Sequence, residues 1–370
     1  MPENKTHEKF MSRALALAKK GEGLVSPNPL VGAVLVKKGE IIGAGWHKGS
    51  GLAHAEIEAL EDCRRRGNSP RGATMYVNLA PCARRYKGKK TAPCCEAIIE
   101  SGVSEVVIGC DDPNPKSGDA GAALKKKGIS VTSGVLGERC ETLNEIFFKN
   151  AEEELPFTIL KLSASVDGKI ATRSGDSKWI GNTAQRKAAH ALRRRCDSVL
   201  VGVETVRKDD PSLDVRLVGA ARQPAPVVAD TDLRIPLSAK LLAREGVLIA
   251  ARHRANGKKA KALERAGATI IDVRKGGAGG VCLKDLMKKL FARGIRSVLI
   301  EGGGKIAASA IREKIVDKMV FFYSPLIIGG DGADMVAGPG TDAVRGARRV
   351  RIERVAKMSG TIVVEAYPEF

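Results

Sequence analysis

Aromatic residues are scarce in this chain, with Phe, Trp and Tyr together making 4% of 370 residues. Basic groups without interleaved aromatics lack the stacking platforms that hold single-stranded nucleic acid. No run of about 18 apolar residues is present, so a membrane-spanning helix is excluded and no membrane partner is expected. The cysteines, at positions 63, 82, 94, 95, 110, 140, 196 and 282, are too dilute for a disulfide scaffold, which leaves reduced thiols or metal ligands. The N-terminus carries Glu3 and Glu8 and lacks a continuous apolar core before a small-residue cleavage site, so it does not read as a secretory signal. A cytoplasmic location is expected. Low-complexity tracts and short-period repeats are also missing.

What the chain does have is length, an apolar fraction of 43% and a formal charge of +20. The length suits two or three ordinary domains, each burying its own core. The charge raises nucleic acid as a partner, yet it is scattered in short groups such as residues 64–66, 125–127 and 193–195. A solvated surface that gathers anionic small molecules is the better account.

Helical spacing of Phe10, Met11, Leu15 and Leu17 predicts a helix over 8–20, ending near Gly21. The proline turn SPNPLVG leads into the apolar AVLV, and KKGE returns the chain as IIGAGW, a hairpin pattern. TMYVNL, PCCEAIIESG, EVVIGC, AGAALKKKG and ISVTSGV then alternate as strand and helix, which predicts a layered α/β domain over 1–147. ETLNEIFFKNAEEELP reads as a helix stopping before Pro156, with 148–155 as the linker. From FTILKLSAS a second α/β domain, 156–370, is expected, with KWIGNTAQRKAAHALRRR and LKDLMKKLFARG as helices. SVLVGV, APVVAD, GVLIAA, SVLIEGGG and MVFFYSPLIIGG read as its strands.

The stretch HAEIEAL opens a helix at His54. By itself it fits an ordinary polar helix start, because first turns favour acidic residues. The later runs NLAPCARRYKGKKTAPCCEAI change the reading. A catalytic zinc site takes three protein ligands and leaves a fourth position for water, and His54, Cys82 and Cys94 supply such a set. Cys95, adjacent to Cys94, competes as the third ligand. Water held by zinc ionises near neutral pH, which suits attack on an electron-poor ring carbon bearing an amino group. Glu56 would carry protons from that water to the leaving ammonia. Residues two apart on a regular helix do not share a face, so His54 and Glu56 can converge only at the helix start, after Gly49, Gly51 and Ala53. The pattern resembles the signature of zinc nucleobase deaminases.

Taken in order, SPNPLVGAVLV, GWHKGSGLAHAE, Pro81-Cys82, TAPCC and DDPNP resemble the deaminase domain of the bifunctional riboflavin-biosynthesis deaminase-reductases, over about residues 7–147. The resemblance implies a cytidine-deaminase-like three-layer α/β/α domain with one Zn2+ per chain. It also implies that Asn28, His47 and the DPNP loop help hold a pyrimidine and its ribose phosphate. Two features depart from the family. Ala80 stands where a Glu usually precedes Pro-Cys, and eleven residues separate the two cysteines, among them Arg84 and Arg85, where the family usually has eight. A longer loop adds little closure entropy, so zinc binding should survive it.

In the C-terminal half, LIEGGGKIAASAI is a strand, a glycine turn and a helix, whose open backbone N–H groups can cradle phosphate. Glycine there also has a purely steric reading. Together with KLSASVDGKIATRSGDSKWIG and HALRRRCDSVLVGVETVRKDDPSLDVR it resembles the reductase domain of the same family, over about residues 155–368. That resemblance implies a dihydrofolate-reductase-like α/β fold and NADPH. Ser163, Trp179, Thr205, Asp209 and the turn Gly303, Gly304, Lys305, Ile306, Ala307, Ala308 and Ser309 would contact the cofactor, with Thr231 as an addition. Ser177, Arg193, Leu213, Arg216 and Glu301 would contact the substrate, the arginines suiting its phosphate. Lys161 and Asp209 would handle protons during hydride transfer.

Each of these residues also has a plainer reading. Lys161 could be a surface lysine at a strand end, Asp209 a turn-capping acid, Trp179 a core aromatic and Arg193 a solvated helix residue. The function implied is deamination of 2,5-diamino-6-ribosylamino-4(3H)-pyrimidinone 5′-phosphate followed by reduction of its ribosyl group to ribityl, with self-assembly into a homo-oligomer. The alternatives are a reductase with a silent deaminase domain, a related enzyme of another pyrimidine or pteridine precursor, and a nucleic-acid-binding protein. The complete reductase pattern argues against the last.

Overall fold

The structure is a computed structural model that describes residues 2–85, 91–252, 257–277 and 279–370. It divides into two compact units, Met1–Glu154 and Leu155–Phe370. Residues 148–154 of the expected linker therefore fall within the first unit.

The first unit begins with α1 (Pro2–Ala18), whose Phe10, Met11 and Leu15 are buried. Strands β1 (Gly32–Lys37) and β2 (Glu40–Trp46) form the expected hairpin. Lys38 and Gly39 both take positive φ, 52° and 80°, as tight two-residue hairpin turns require. Then follow α2 (Ala55–Arg65), β3 (Thr74–Leu79), α3 (Cys94–Ser101), β4 (Glu105–Cys110), α4 (Ala120–Lys125), β5 (Ser130–Ser133), α5 (Gly137–Leu143) and α6 (Glu145–Glu153). The sheet order is β2-β1-β3-β4-β5. β1 runs antiparallel to both its neighbours, while β3, β4 and β5 are parallel. This is the expected cytidine-deaminase-like α/β arrangement.

One expected helix is two. The pattern from Glu141 breaks at Asn144, whose side chain reaches back across the unit to Leu30. Its Oδ1 accepts the Leu30 N–H at 2.8 Å and its Nδ2 donates to the Leu30 carbonyl at 3.0 Å. Asn78 braces the same stretch, accepting from Gly32 N–H at 2.8 Å and donating to Leu30 O at 2.9 Å. Both asparagines are buried, and the stretch they hold follows directly on the SPNP turn.

The second unit comprises β6 (Phe157–Ser165), β7 (Lys169–Ala171), α7 (Thr183–Arg195), β8 (Ser198–Gly202), α8 (Val203–Asp209), β9 (Ala225–Ala229) and β10 (Leu248–Arg252). It continues with α9 (Gly257–Arg265), β11 (Thr269–Val273), α10 (Leu283–Ala292), β12 (Ser297–Ile300), α11 (Gly304–Arg312), β13 (Lys318–Ser324), β14 (Ala333–Asp334), β15 (Arg349–Met358) and β16 (Thr361–Glu369). The large sheet has the order β11-β10-β9-β8-β12-β6-β13-β16-β15. From β11 to β13 neighbouring strands are parallel, and β16 and β15 add an antiparallel edge.

All four residues of β12 are buried, as a central parallel strand covered on both faces demands. β12 lies between β6 and β8, which are not hydrogen-bonded to one another. That reversal of strand order is where open parallel sheets bind ligands, outside the carboxyl ends of the strands. Three sequence readings shift. Helix α7 starts at Thr183, capped by Asn182, rather than at Lys178. β13 stops at Ser324, ahead of Pro325, which cannot donate to a ladder. The charged alternation of β15 hides a strand that the sequence reading leaves out.

Candidate active sites

His54 is the N-cap of α2, and Cys94 is the first residue of α3. Cys82 follows β3, so the helix starts and the strand end bring the three together. Their ligand atoms lie within 4.8 Å of one another. Cys94 Sγ is 3.2 Å and Cys82 Sγ 3.7 Å from His54 Nδ1. Tetrahedral zinc with ordinary Zn–S and Zn–N bonds separates such atoms by about 3.6 Å, so the donor set fits the ion in size and chemistry. With Nδ1 given to a metal, Nε2 carries the proton and donates to Thr91 Oγ1, 3.2 Å away. Metal-bound histidines use an outer partner of this kind to fix their orientation.

Cys95 turns the other way. Its thiol points to the Pro81 carbonyl at 3.8 Å, and its side chain belongs to the hydrophobic core. The choice between adjacent cysteines thus falls to Cys94. The chain leaving Cys82 is pinned by Ala83 and Arg84 N–H groups donating to Ser117 O at 2.8 and 3.1 Å. Arg85 pairs at the surface with Glu96. Residues 86–90 of the loop lie outside the described residues.

Glu56 is buried, and burial pushes its carboxyl above the usual carboxylate range. Its Oε2 has no hydrogen-bond partner among the described residues. Glu56, His54 and Cys82 line a cavity of about 470 Å³ together with Asn28, His47, Ala80, Thr91, Asp112, Asn114 and Ser117. Asn28 Nδ2 donates to His47 Nε2 at 2.9 Å, and His47 Nδ1–H donates to Ala53 O at 3.0 Å. Both ring nitrogens serve a neutral imidazole, and burial holds the His47 pKa below its ordinary value. The DPNP loop is shaped by Asp112, which accepts from Asn114 N–H at 2.9 Å and Ser117 Oγ–H at 2.5 Å.

In the second unit, Glu301 follows β12 at the level of Lys161 on β6. Arg193 grips its carboxylate with two bonds, Nε to Oε1 at 2.8 Å and Nη2 to Oε2 at 2.9 Å. Lys161 Nζ stands 3.9 Å from Oε2. Burial alone would raise the Glu301 pKa, but the two cations hold it at about 2. Lys161 has the opposite balance, with burial lowering its pKa and Glu301 restoring part of it. Arg193 Nη1 also donates to Asp214 O at 2.8 Å, so this guanidinium is committed to protein on three nitrogens. Arg216, by contrast, is exposed and pairs with Asp214. Buried His190 accepts the Arg216 backbone N–H at 3.1 Å, and burial followed by repulsion from Arg193 holds it at about 4.

A cavity of about 690 Å³ opens at the carboxyl ends of β12, β8 and β9. Of the residues expected at a cofactor it is lined by Thr205, Asp209, Thr231, Gly303, Gly304, Lys305, Ile306 and Ser309, and of those expected at substrate by Ser177. The glycines divide the two readings of the turn. A Cβ on Gly302 would overlap Ile306, and one on Gly304 would meet Asp334 O at 2.4 Å, so both are steric. A Cβ on Gly303, the N-cap of α11, would meet nothing within 4 Å. That open position beside a helix N-terminus fits a dinucleotide pyrophosphate.

Ser163, Trp179, Ala307 and Ala308 are not among the lining residues. Ala307 is fully buried in the core. Trp179 is 70% exposed with Arg186 stacked over its ring at 4.4 Å, so it is no core aromatic. Leu213 is buried at φ 53°, and its carbonyl accepts from Arg244. The sequence reading did not single out Thr91, His190 or Arg234. The first lay in plain view three residues before Cys94, whereas the others carry no local pattern.

The RibD C-terminal domain matches residues 156–364, and the cytidine and deoxycytidylate deaminase zinc-binding region matches 4–110. The riboflavin biosynthesis protein RibD of Aquifex aeolicus is 40% identical over 356 residues, 96% of each chain. That of Escherichia coli K12 is 33% identical, covering 94% of this chain and 95% of its own. A solved Thermotoga maritima structure, described as a diaminohydroxyphosphoribosylaminopyrimidine deaminase/5-amino-6-(5-phosphoribosylamino)uracil reductase, is 36% identical with a TM-score of 0.86 over 99% of both chains. A zinc-binding deaminase unit followed by a reductase unit defines the class, a bifunctional deaminase-reductase. The chain belongs to the RibD family of riboflavin biosynthesis.

Proposed function

We propose that the chain carries out two successive steps of riboflavin biosynthesis. The first is hydrolytic deamination of 2,5-diamino-6-ribosylamino-4(3H)-pyrimidinone 5′-phosphate, and the second is NADPH-dependent reduction of the ribosyl group to ribityl. One observation carries the first step: three zinc-ligand atoms converge, and two of their residues, His54 and Cys82, line a cavity that also holds a buried carboxyl group with an unpartnered oxygen.

His54, Cys82 and Cys94 hold the zinc, which when bound supplies Lewis-acid activation of water at neutral pH. Glu56 takes a proton from the attacking water and passes it to the departing amine as the ring C–N bond breaks and ammonia leaves. Asn28 and His47, fixed to one another, orient the pyrimidine with the DPNP loop.

In the second unit NADPH supplies the hydride when bound. Lys161, a better proton donor for being buried, and Asp209 manage the proton that the sugar oxygen gains. Arg216 is the guanidinium available to the substrate phosphate, while Arg193 positions Glu301. Gly303 and the first turn of α11 receive the cofactor pyrophosphate. The reading includes a cytoplasmic homo-oligomer, which sedimentation of the purified chain would test.

Mass spectrometry of the diaminopyrimidinone ribosyl phosphate after incubation with zinc-loaded protein, NADPH omitted, tests the first step. Exchange of an amino group for oxygen is expected. Unchanged substrate, from protein that still reduces the deaminated compound, would leave a reductase alone.

A further inference from the structure

We infer that Arg234 is the residue by which the reductase unit recognises the phosphate on the adenosine ribose of its cofactor, and so selects a 2′-phosphorylated dinucleotide. The inference rests on the cofactor reading given above, and Arg234 is in none of the contacts that reading assigns.

Topology sets the direction of the bound dinucleotide. Hydride must reach a sugar held near Lys161 and Glu301, which lie level on β6 and β12. The pyrophosphate belongs at Gly303, two residues after Glu301. The adenosine half must then run the other way, over β8 toward β9. Two strand spacings of about 4.8 Å bring it roughly 10 Å along the sheet, to the turn that follows Ala229. Thr231 and Arg234 of this turn line the same cavity.

The turn is built to hold a side chain in place. The buried Asp230 carboxylate accepts the Ile235 N–H at 2.8 Å, and the Thr231 carbonyl accepts Arg252 N–H at 3.2 Å. Between them Leu233 is held at φ 57° with its side chain buried. Arg234 is thereby presented to the cavity with about half its side chain exposed, and its Nη1 rests on Glu204 Oε1 at 2.7 Å.

Glu204 is the competing feature. An acid at this end of a dinucleotide site accepts the free 2′-hydroxyl and favours the unphosphorylated cofactor. Here that carboxylate also faces Arg207, at 3.3 Å, and Lys208 lines the cavity nearby. Two guanidinium groups thus share one acid, with Lys208 a further cation on the cavity wall, an excess of positive charge that suits a dianionic phosphate. A guanidinium offers it paired donors, which a lysine cannot match.

Calorimetry on the full, zinc-loaded chain tests this, with adenosine 2′,5′-bisphosphate, adenosine 5′-monophosphate and NADPH as ligands. The unaltered chain should prefer the bisphosphate to the monophosphate. Arg234→Gln should weaken the bisphosphate by about tenfold or more, the loss of a charged hydrogen-bonding pair, and leave the monophosphate within about twofold. Arg234→Lys should fall between. In steady-state assays the variant's KM should rise for NADPH and not for NADH. A variant that keeps the preference for the bisphosphate, or loses both ligands equally, would overturn the assignment while NADPH binding left the cofactor reading intact. An unaltered chain that binds no NADPH would overturn that reading, and this inference with it.

Discussion

In the first unit the reactive groups sit at the starts of two helices and just past one strand, and their backbone positions are fixed within a turn of each other. In the second they are spread over the middle of β6 and the carboxyl ends of β12, β8 and β9, so that the sheet itself is the ruler. The difference teaches what each site can tolerate. A helix start carries its ligand in whatever direction the helix is packed, so the connection between Cys82 and Cys94 can lengthen without moving either. A site ruled by a parallel sheet depends on every strand staying in register, because Lys161 and Glu301 meet only through the pairing of β6 with β12.

The largest expected effect isolates the two sites from one another. Glu56→Ala should lower deamination by roughly 10²–10⁴-fold, the usual loss on removing a general acid-base group. Zinc content by atomic absorption and reduction of the deaminated compound should be unchanged. A parallel fall in reduction would break the picture of two separable sites. Next comes the pair of adjacent cysteines. Cys94→Ala should abolish stoichiometric zinc, whereas Cys95→Ala should keep it and lower only the Tm. Zinc loss in both would return the ligand assignment to an open question.

In the second unit, Glu301→Ala leaves Lys161 and Arg193 without their buried counter-charge. It should destabilise the unit by about 3–5 kcal/mol, measured by chemical denaturation. Gly303→Ala sharpens the contrast between function and packing. Nothing in the protein opposes its Cβ, so Tm should hold while the KM for NADPH rises by roughly tenfold through steric overlap.

The smallest effect is a pH dependence. His190 titrates at about 4 when folded against 6.5 ordinarily, so between those values the unfolded chain takes up the proton and the folded one does not. Its contribution is complete above about pH 6.5 and fades as the pH falls toward 4. Glu301, held at about 2 against 4.5, contributes above 4.5 and fades only below that. The Tm of the second unit should therefore decline from pH 6.5 to 4 in the native chain and less so in His190→Gln, with differential scanning fluorimetry as the measurement. Equal slopes would remove His190 from the account.

How much of this was legible beforehand follows from what kind of information each feature uses. The zinc donors could be found because their residue types are rare and their positions follow Pro or a glycine-rich turn. Cys94 is preferred to Cys95 because it directly follows the proline, but only the packing of α3 shows that the Cys95 thiol faces the core. The glycine run announced a tight turn, yet not that Gly303 alone is open while Gly302 and Gly304 are steric. Arg193 looked like a phosphate ligand by residue type. Its commitment to Glu301 and Asp214, more than a turn of sequence away in each case, depends on tertiary pairing that no local pattern encodes. Ala307 was grouped with its neighbours in the turn, although helical periodicity carries it into the core.

The bonds from Asn144 to both polar groups of Leu30 set a lower limit on genetic dissection of the chain. A fragment cut after α5 would look complete by its strands and would retain every zinc ligand. It would nevertheless lose one of the two asparagines that fasten the stretch between Asn28 and β1, leaving Leu30 braced by Asn78 without its second clamp. Any stand-alone deaminase made from this gene must extend through Asn144.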